Sequence, residues 1–266
     1  MSVDLYYRRT GPNNAPFSSG GASGVRSIVI LHGLFGSSDN WGSVGKELSD
    51  HNDVILVDQR DHGRSPHTDR VNYAGMAEDV HRLVTSLGLQ DIVLVGHSMG
   101  AKTAMYFAHR WPSLVKHLVS VDMGPREYPL SNQAPIIEAL LTSDVANKTT
   151  RKEVEAHLAK YIPEPGVQQF LLKSLYWETP DRLSWRFNVP VIARDIRDIL
   201  AAAPAETIRI PTLFIRGGQS DYITRADVPA INEQFPNCRI ETVEFAGHWV
   251  HAQAPDEVVE MIRTVA

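Results

Sequence analysis

Gly96-His97-Ser98-Met99-Gly100 is the stretch of this sequence best suited to covalent chemistry. It follows the apolar run Ile92 to Val95 and precedes a helical pattern from Ala101 to Arg110, which places it at a strand-to-helix turn. A serine on such a sharp turn projects its Oγ above the sheet, and small residues two places before and after let the backbone bend without clashes. Ala101 and Ala104 extend the small face where the helix packs down. A serine hydroxyl is a weak nucleophile near neutral pH. It needs a base within hydrogen-bond reach, usually a histidine held by a carboxylate, and eleven histidines compete for that role. The oxyanion formed when Ser98 attacks a carbonyl needs two fixed donors. The backbone N–H of Met99, at the start of the helix, is one candidate. Leu34, in Leu31-His32-Gly33-Leu34-Phe35-Gly36, is the other, because Gly33 permits close backbone approach.

The elements that must position these groups follow from the apolar pattern. Ile28 to Leu31, Val54 to Val57, Ile92 to Val95, Leu118 to Val121 and Leu213 to Ile215 are continuous apolar runs, the signature of parallel strands covered on both faces. Helical patterns lie between them. Met76, Val80, Leu83, Val84 and Leu87 share one face and lead into Gly88, a natural stop. Strand and helix alternate, so the fold class is α/β with a mainly parallel sheet flanked by helices. Val3 to Arg9 reads as an antiparallel edge strand, followed by a flexible loop through Gly11-Pro12-Asn13-Asn14 and Ser18-Ser19-Gly20-Gly21. Between about 123 and 209 the strand signal disappears. Helices are expected there over Ala134 to Leu141, Arg151 to Tyr161, Val167 to Trp177 and Val189 to Ala203. The division is therefore a core of 1–122 and 210–266 and a helical cap insertion of 123–209. A strand over Arg239 to Phe245 and a final helix from Pro255, burying Val258, Val259 and Ile262, close the chain.

Together with Asp58-Gln59-Arg60-Asp61-His62-Gly63-Arg64-Ser65 and Gly247-His248-Trp249, these motifs resemble the successive signatures of the α/β-hydrolase superfamily. The likeness runs from residue 28 to the C-terminus, with the cap weakly matched. Within the superfamily the chain most resembles small bacterial acyl esterases, related to a mitochondrial α/β-hydrolase group and to fungal ethanol acetyltransferases. The resemblance implies an α/β-hydrolase fold with an inserted helical cap. Its chain order puts the base last, after the final strand, which is His248; His251 is then a packed or surface residue. It also implies that Asp58 and Arg60 support the loop beside the oxyanion hole. The commonest position for the acid is the turn after Leu213 to Ile215, but Arg216-Gly217-Gly218-Gln219-Ser220-Asp221 has a serine there, with Asp221 one place late. In the resembling esterases and acetyltransferases the acid lies after the strand that follows the nucleophile helix. That residue is Asp122, which is favoured, with Asp221 as the alternative.

The function expected is a serine hydrolase that cleaves carboxylic esters or thioesters of short to medium acyl chains through an acyl-enzyme. The same groups would serve an acyl-CoA thioesterase or an alcohol acyltransferase, and a low-turnover ligand receptor on this scaffold is the alternative of another class. Phe35, Tyr128, Phe170, Trp177 and Trp185 are candidates to line an apolar acyl pocket. No cofactor is required. The pair His248 and His251 lacks third and fourth ligands, so no metal is expected. With 26 basic against 31 acidic side chains, a net charge of -5 and no basic run, nucleic acid is an improbable partner. No apolar stretch is long enough to span a bilayer, and the N-terminus lacks a secretion signal. Cys238, the lone cysteine, is structural and agrees with a cytoplasmic location. The partner expected is a small-molecule ester or thioester, bound by a monomer or homodimer.

Overall fold

The structure, a computed structural model, describes residues 1–12 and 25–266. Nine strands are present among them: β1 (Tyr7–Thr10), β2 (Ser27–Leu31), β3 (Asp53–Val57), β4 (Ile92–His97), β5 (Val115–Val121), β6 (Leu175–Thr179), β7 (Arg182–Trp185), β8 (Thr212–Gly217) and β9 (Cys238–Val243). Seven of them form one sheet in the order β1-β3-β2-β4-β5-β8-β9. Only β1 runs antiparallel to its neighbour, pairing Tyr7 with Val57, while the other pairings are parallel, as in Ile28 with Val54 and Ile28 with Val93. This is the α/β class and mainly parallel sheet expected. The expected loop after Gly11 falls largely on residues 13–24, which lie outside the described residues.

The continuous apolar runs arise because successive residues feed different cores. Val29, Leu31, Ile55 and Val57 pack on one face of the sheet, whereas Ile28, Ile30, Val54 and Leu56 pack on the other. Period-two alternation puts both sets under helices, so polar residues have no place on either face. The first face is covered by α2 (Tyr73–Ser86) and α3 (Met99–Arg110), with Ile231 and Phe235 at the end of the chain's α9 (Val228–Gln234). The second lies under α1 (Gly42–Leu48), α10 (Val250–Gln253) and α11 (Pro255–Arg263), whose Val258, Val259 and Ile262 are fully buried.

The segment between β5 and β8 adds no strand to this sheet. It holds α4 (Ala134–Leu141), α5 (Arg151–Leu158), α6 (Pro165–Leu172), α7 (Val189–Arg194) and α8 (Ile196–Leu200), and these build a separate apolar core around Leu158, Leu171, Leu183 and Ile192. Two expectations need correction. The helix expected over Val167 to Trp177 stops at Leu172, and β6 pairs with β7 as an antiparallel hairpin that places Leu175 opposite Trp185. The guanidinium of Arg151 donates to the carbonyls of Leu172 and Leu175, satisfying the end of the helix from outside. Strand signal was missed because the hairpin is short and mostly exposed: of β6 only Leu175 is buried, and in β7 only Leu183 and Trp185. The helix expected over Val189 to Ala203 is two short ones that break at Asp195, whose carboxylate accepts from the N–H of Val71.

Candidate active site

Ser98 sits between β4 and α3 with φ +52° and ψ −118°, a conformation costly for a residue with a Cβ. The turn closes so tightly that a Cβ on Gly96 would lie 2.3 Å from the carbonyl oxygen of Gly100, and one on Gly100 2.4 Å from that of Leu31. Those contacts are why the positions flanking the serine are glycine. The strain is held by the sheet, since the N–H of Ser98 donates to Val121 and continues the β4–β5 ladder past its end. Met99 is the first residue of α3, so its N–H has no carbonyl one turn back within the helix to bond.

Asp122 leaves β5 with φ +48° and its N–H donates to the carbonyl of Ile215 at 2.7 Å. Its carboxylate is fully buried and accepts hydrogen bonds at both oxygens. Oδ1 accepts from the N–H of Gly217 at 3.0 Å, and Oδ2 accepts from the Ser220 hydroxyl and from His248 Nδ1, the latter at 2.8 Å. A carboxylate on Nδ1 fixes the imidazole as the Nδ1–H tautomer and leaves Nε2 as an acceptor. Asp221 is exposed, and the Tyr222 ring beyond it stacks on the His248 imidazole with centroids 3.7 Å apart. Thus the residue at the commonest acid position, Ser220, serves here as a donor to Asp122.

The loop after β2 is set by His32. Its Nδ1 lies 2.8 Å from the carbonyl of Gly33, which can only accept, so Nδ1 carries the proton. Its Nε2 accordingly accepts from the N–H of Gln59 at 3.0 Å, and the Gln59 amide donates back to the His32 carbonyl at 2.6 Å. Burial holds the His32 pKa below its ordinary value, which preserves this neutral form. Asp58 accepts from the N–H groups of Ser38 and Arg64, whereas Arg60 forms a bidentate pair with buried Asp79 at 2.6 and 2.8 Å. Arg60 therefore anchors α2, and Gln59, which no motif reading singles out, holds the loop after β2 through His32. Phe35 has φ +62°, and its carbonyl accepts from Ser174 at 3.2 Å, tying this loop to the segment between β5 and β8.

Two cavities open beside Ser98. The larger, about 550 Å³ including its mouth, is lined by Phe35, Ile136, Val167, Phe170, His248 and Trp249 among others. The smaller, about 300 Å³, is lined by Tyr73, Met99, Met123, Tyr128, Ile199 and Leu200 among others. Leu34, Ser98, Gln133 and Tyr222 border both. Of the expected pocket aromatics, Phe35 and Phe170 line the larger cavity and Tyr128 the smaller. Trp177 and Trp185 line neither, which corrects that expectation. Trp177 is exposed on the hairpin. Trp185 is buried behind the wall, donating Nε1–H to Ser143 at 3.2 Å and stacking on Phe187, which in turn meets Phe35 at 5.1 Å. Asn40, Gln133 and Tyr222 also reach the cavities, though no motif marked them. His251 stacks on Trp41 at 4.4 Å and His97 donates Nε2–H to the backbone carbonyl of His248 at 2.9 Å. Among the described residues, no group of three or more His, Cys, Asp and Glu is placed to hold a metal ion, and no helix is long and apolar enough to cross a membrane.

Comparison with known proteins agrees with this architecture. A family described as the alpha/beta hydrolase fold matches residues 26–255. A putative esterase/lipase of Haemophilus influenzae is 37% identical over 238 residues, covering 89% of this chain and 81% of that one. An sn-1-specific diacylglycerol lipase of Mus musculus is 38% identical over 250 residues, covering 91% of this chain and 81% of its own. Among solved structures, a marine microorganism esterase superposes with a TM-score of 0.92 at 37% identity, each chain covered in full.

Proposed function

On the premise that this chain belongs to the α/β-hydrolase fold family and is a carboxylesterase-type hydrolase, we propose that it cleaves carboxylic esters or thioesters of short to medium acyl chains with Ser98, His248 and Asp122. The observation that carries this reading is the buried carboxylate of Asp122 at 2.8 Å from His248 Nδ1, on an imidazole that shares a cavity with the strained Ser98. His248 Nε2 takes the Ser98 proton as Oγ bonds to the substrate carbonyl carbon, and the carbonyl π pair moves onto oxygen. The N–H groups of Leu34 and Met99 receive that oxyanion, each such donor being worth about 10²- to 10³-fold in kcat. Collapse breaks the bond to the leaving group, which takes the proton from His248. Water, deprotonated by the same imidazole, then releases the acid and restores Ser98. Asp122 acts through His248, holding the tautomer and stabilising the imidazolium.

Replacing Ser98 with Ala is expected to lower kcat for p-nitrophenyl acetate by at least about 10⁴-fold, because the nucleophile of a triad cannot be bypassed. The variant should keep the wild-type circular dichroism spectrum. Retention of more than a tenth of the activity would sink the assignment.

A further inference from the structure

We propose that the two cavities beside Ser98 divide the substrate: the smaller takes the acyl group and the larger takes the alcohol, so the preferred substrates are short-acyl esters of larger apolar alcohols. This rests on the serine-esterase reading above and adds the orientation of the ester, which that reading leaves open.

The argument starts from the four substituents of the tetrahedral carbon. One is Ser98 Oγ, and a second is the oxyanion, held at the Leu34 and Met99 amides. The third, the leaving oxygen, must come within hydrogen-bond reach of His248 Nε2, because that atom returns the proton. Only the larger cavity is lined by His248, together with Trp249, which follows it. The alcohol therefore extends into the larger cavity. The fourth substituent, the acyl carbon, is left the space on the Met99 side, where Met123, Tyr128, Ile199 and Leu200 form the smaller cavity.

The walls of the two spaces differ in how far they can yield. In the smaller, the buried Tyr128 hydroxyl accepts from the N–H of Gly124 at 2.9 Å and donates to the carbonyl of Tyr222 at 2.6 Å. Buried Tyr73 donates its hydroxyl to the carbonyl of Ile199. Each ring is pinned at its polar end, and moving it would strand a buried hydroxyl. On its Tyr73 and Tyr128 sides this cavity resists lengthening to follow a growing acyl chain. The larger is faced by Ile136, Val167 and Phe170, half-buried side chains of α4 and α6 that carry no hydrogen bonds to break. Apolar alcohols of increasing size gain contact there.

Two matched series test this. kcat/KM is measured for p-nitrophenyl esters from acetate to dodecanoate and for alkyl acetates from ethyl to decyl. The acyl series is expected to fall by at least about 100-fold past butanoate, on the scale set by one misfitting methylene, while the alcohol series holds level or rises. Leu200→Phe should move the acyl cut-off to shorter chains and leave the ratio of long to short alkyl acetates unchanged. Val167→Phe should depress only the longer alkyl acetates, by about 10-fold. Both side chains are only partly buried, and thermal melting checks that each variant folds. Labelling of Ser98 by a fluorophosphonate separates the two levels of failure. A labelled, active enzyme that prefers long acyl chains, or variants with exchanged effects, would overturn the orientation alone. A protein that neither labels nor turns over any ester would overturn the serine-esterase reading and the orientation with it.

Discussion

Asp122 reaches His248 because its backbone is bent out of the β5 direction into the left-handed region at φ +48°, where a short polar side chain is better tolerated than a branched one. Phe35 and Ser98 share that unusual geometry, so three of the six non-glycine residues with positive φ among the described residues belong to the proposed machinery. Strain of this kind costs on the order of 1–3 kcal/mol per residue and persists where the surroundings over-determine it. The residue identities alone could not choose between Asp122 and Asp221, because the choice depends on which carboxylate the β5 and β8 ends bring beside the last loop. Asp122 has three donors arranged around it, including the N–H of Gly217 and the Ser220 hydroxyl. Asp221 is exposed, with its backbone carbonyl accepting from Arg126. Asp122→Asn is therefore expected to cost on the order of 10⁴ in kcat by presenting the wrong tautomer of His248, and Asp221→Asn no more than a few-fold. Steady-state kinetics on p-nitrophenyl acetate for the two variants decides it, and a severe loss confined to Asp221→Asn reverses the assignment.

At the scale of elements, the strands and the elbow could be read because long apolar runs and close-approach glycines are local signals. The β6–β7 hairpin could not, since its pairing buries three side chains and otherwise faces water. Lys102 was also passed over, because an ordinary lysine one turn into a helix reads as surface. It is instead fully buried on α3, its ammonium donating to the carbonyls of Arg126 and Ala201 and lying 5.0 Å from the Tyr128 ring. It thus fastens α3 to the loop after Asp122 and to the end of α8. Burial first, and then the Arg126 guanidinium, pull its pKa from 10.5 down to about 7, against a smaller opposing pull from Glu127. Between those values the unfolded chain binds more protons than the folded one, so this lysine's contribution to stability rises with pH. The difference in unfolding free energy between the wild type and Lys102→Met should grow by up to about 1.4 kcal/mol per pH unit from pH 7 to 9. Urea titrations of both proteins across that range measure it, and a pH-independent difference would refute the lowered pKa of this buried lysine.

On the scale of the whole molecule, four of the eleven histidines lie in the interior. His32, His62, His97 and His251 are all buried, and desolvation is the largest cause holding each below its ordinary pKa of 6.5, with His62 and His251 pulled to about 3. Among the described residues, His62 Nε2 and His251 Nδ1 have no hydrogen-bond partner, and the His62 Nδ1 bond to the Arg60 carbonyl offsets only part of the cost of charging that ring. The motifs single out His248 but cannot show this, because burial on several sides comes from strands and helices far apart in the chain. The sign follows from the depressed values: the stability these groups contribute is complete above pH 6.5 and is lost as pH falls toward 3. For His62 and His251 the loss from pH 7 to 5 comes to about 2 kcal/mol each. Their sum, about 4 kcal/mol, is a large part of the roughly 5–15 kcal/mol by which domains are stable. The protein should therefore lose a large part of its stability on mild acidification while remaining folded without denaturant. Urea midpoints at half-unit steps from pH 7 to 5 should fall steadily, and His251→Phe, which keeps a ring against Trp41, should reduce the loss over that range by about 2 kcal/mol, the share of His251. An unchanged slope in the variant, or a flat wild-type profile, would show that these imidazoles accept protons inside the fold.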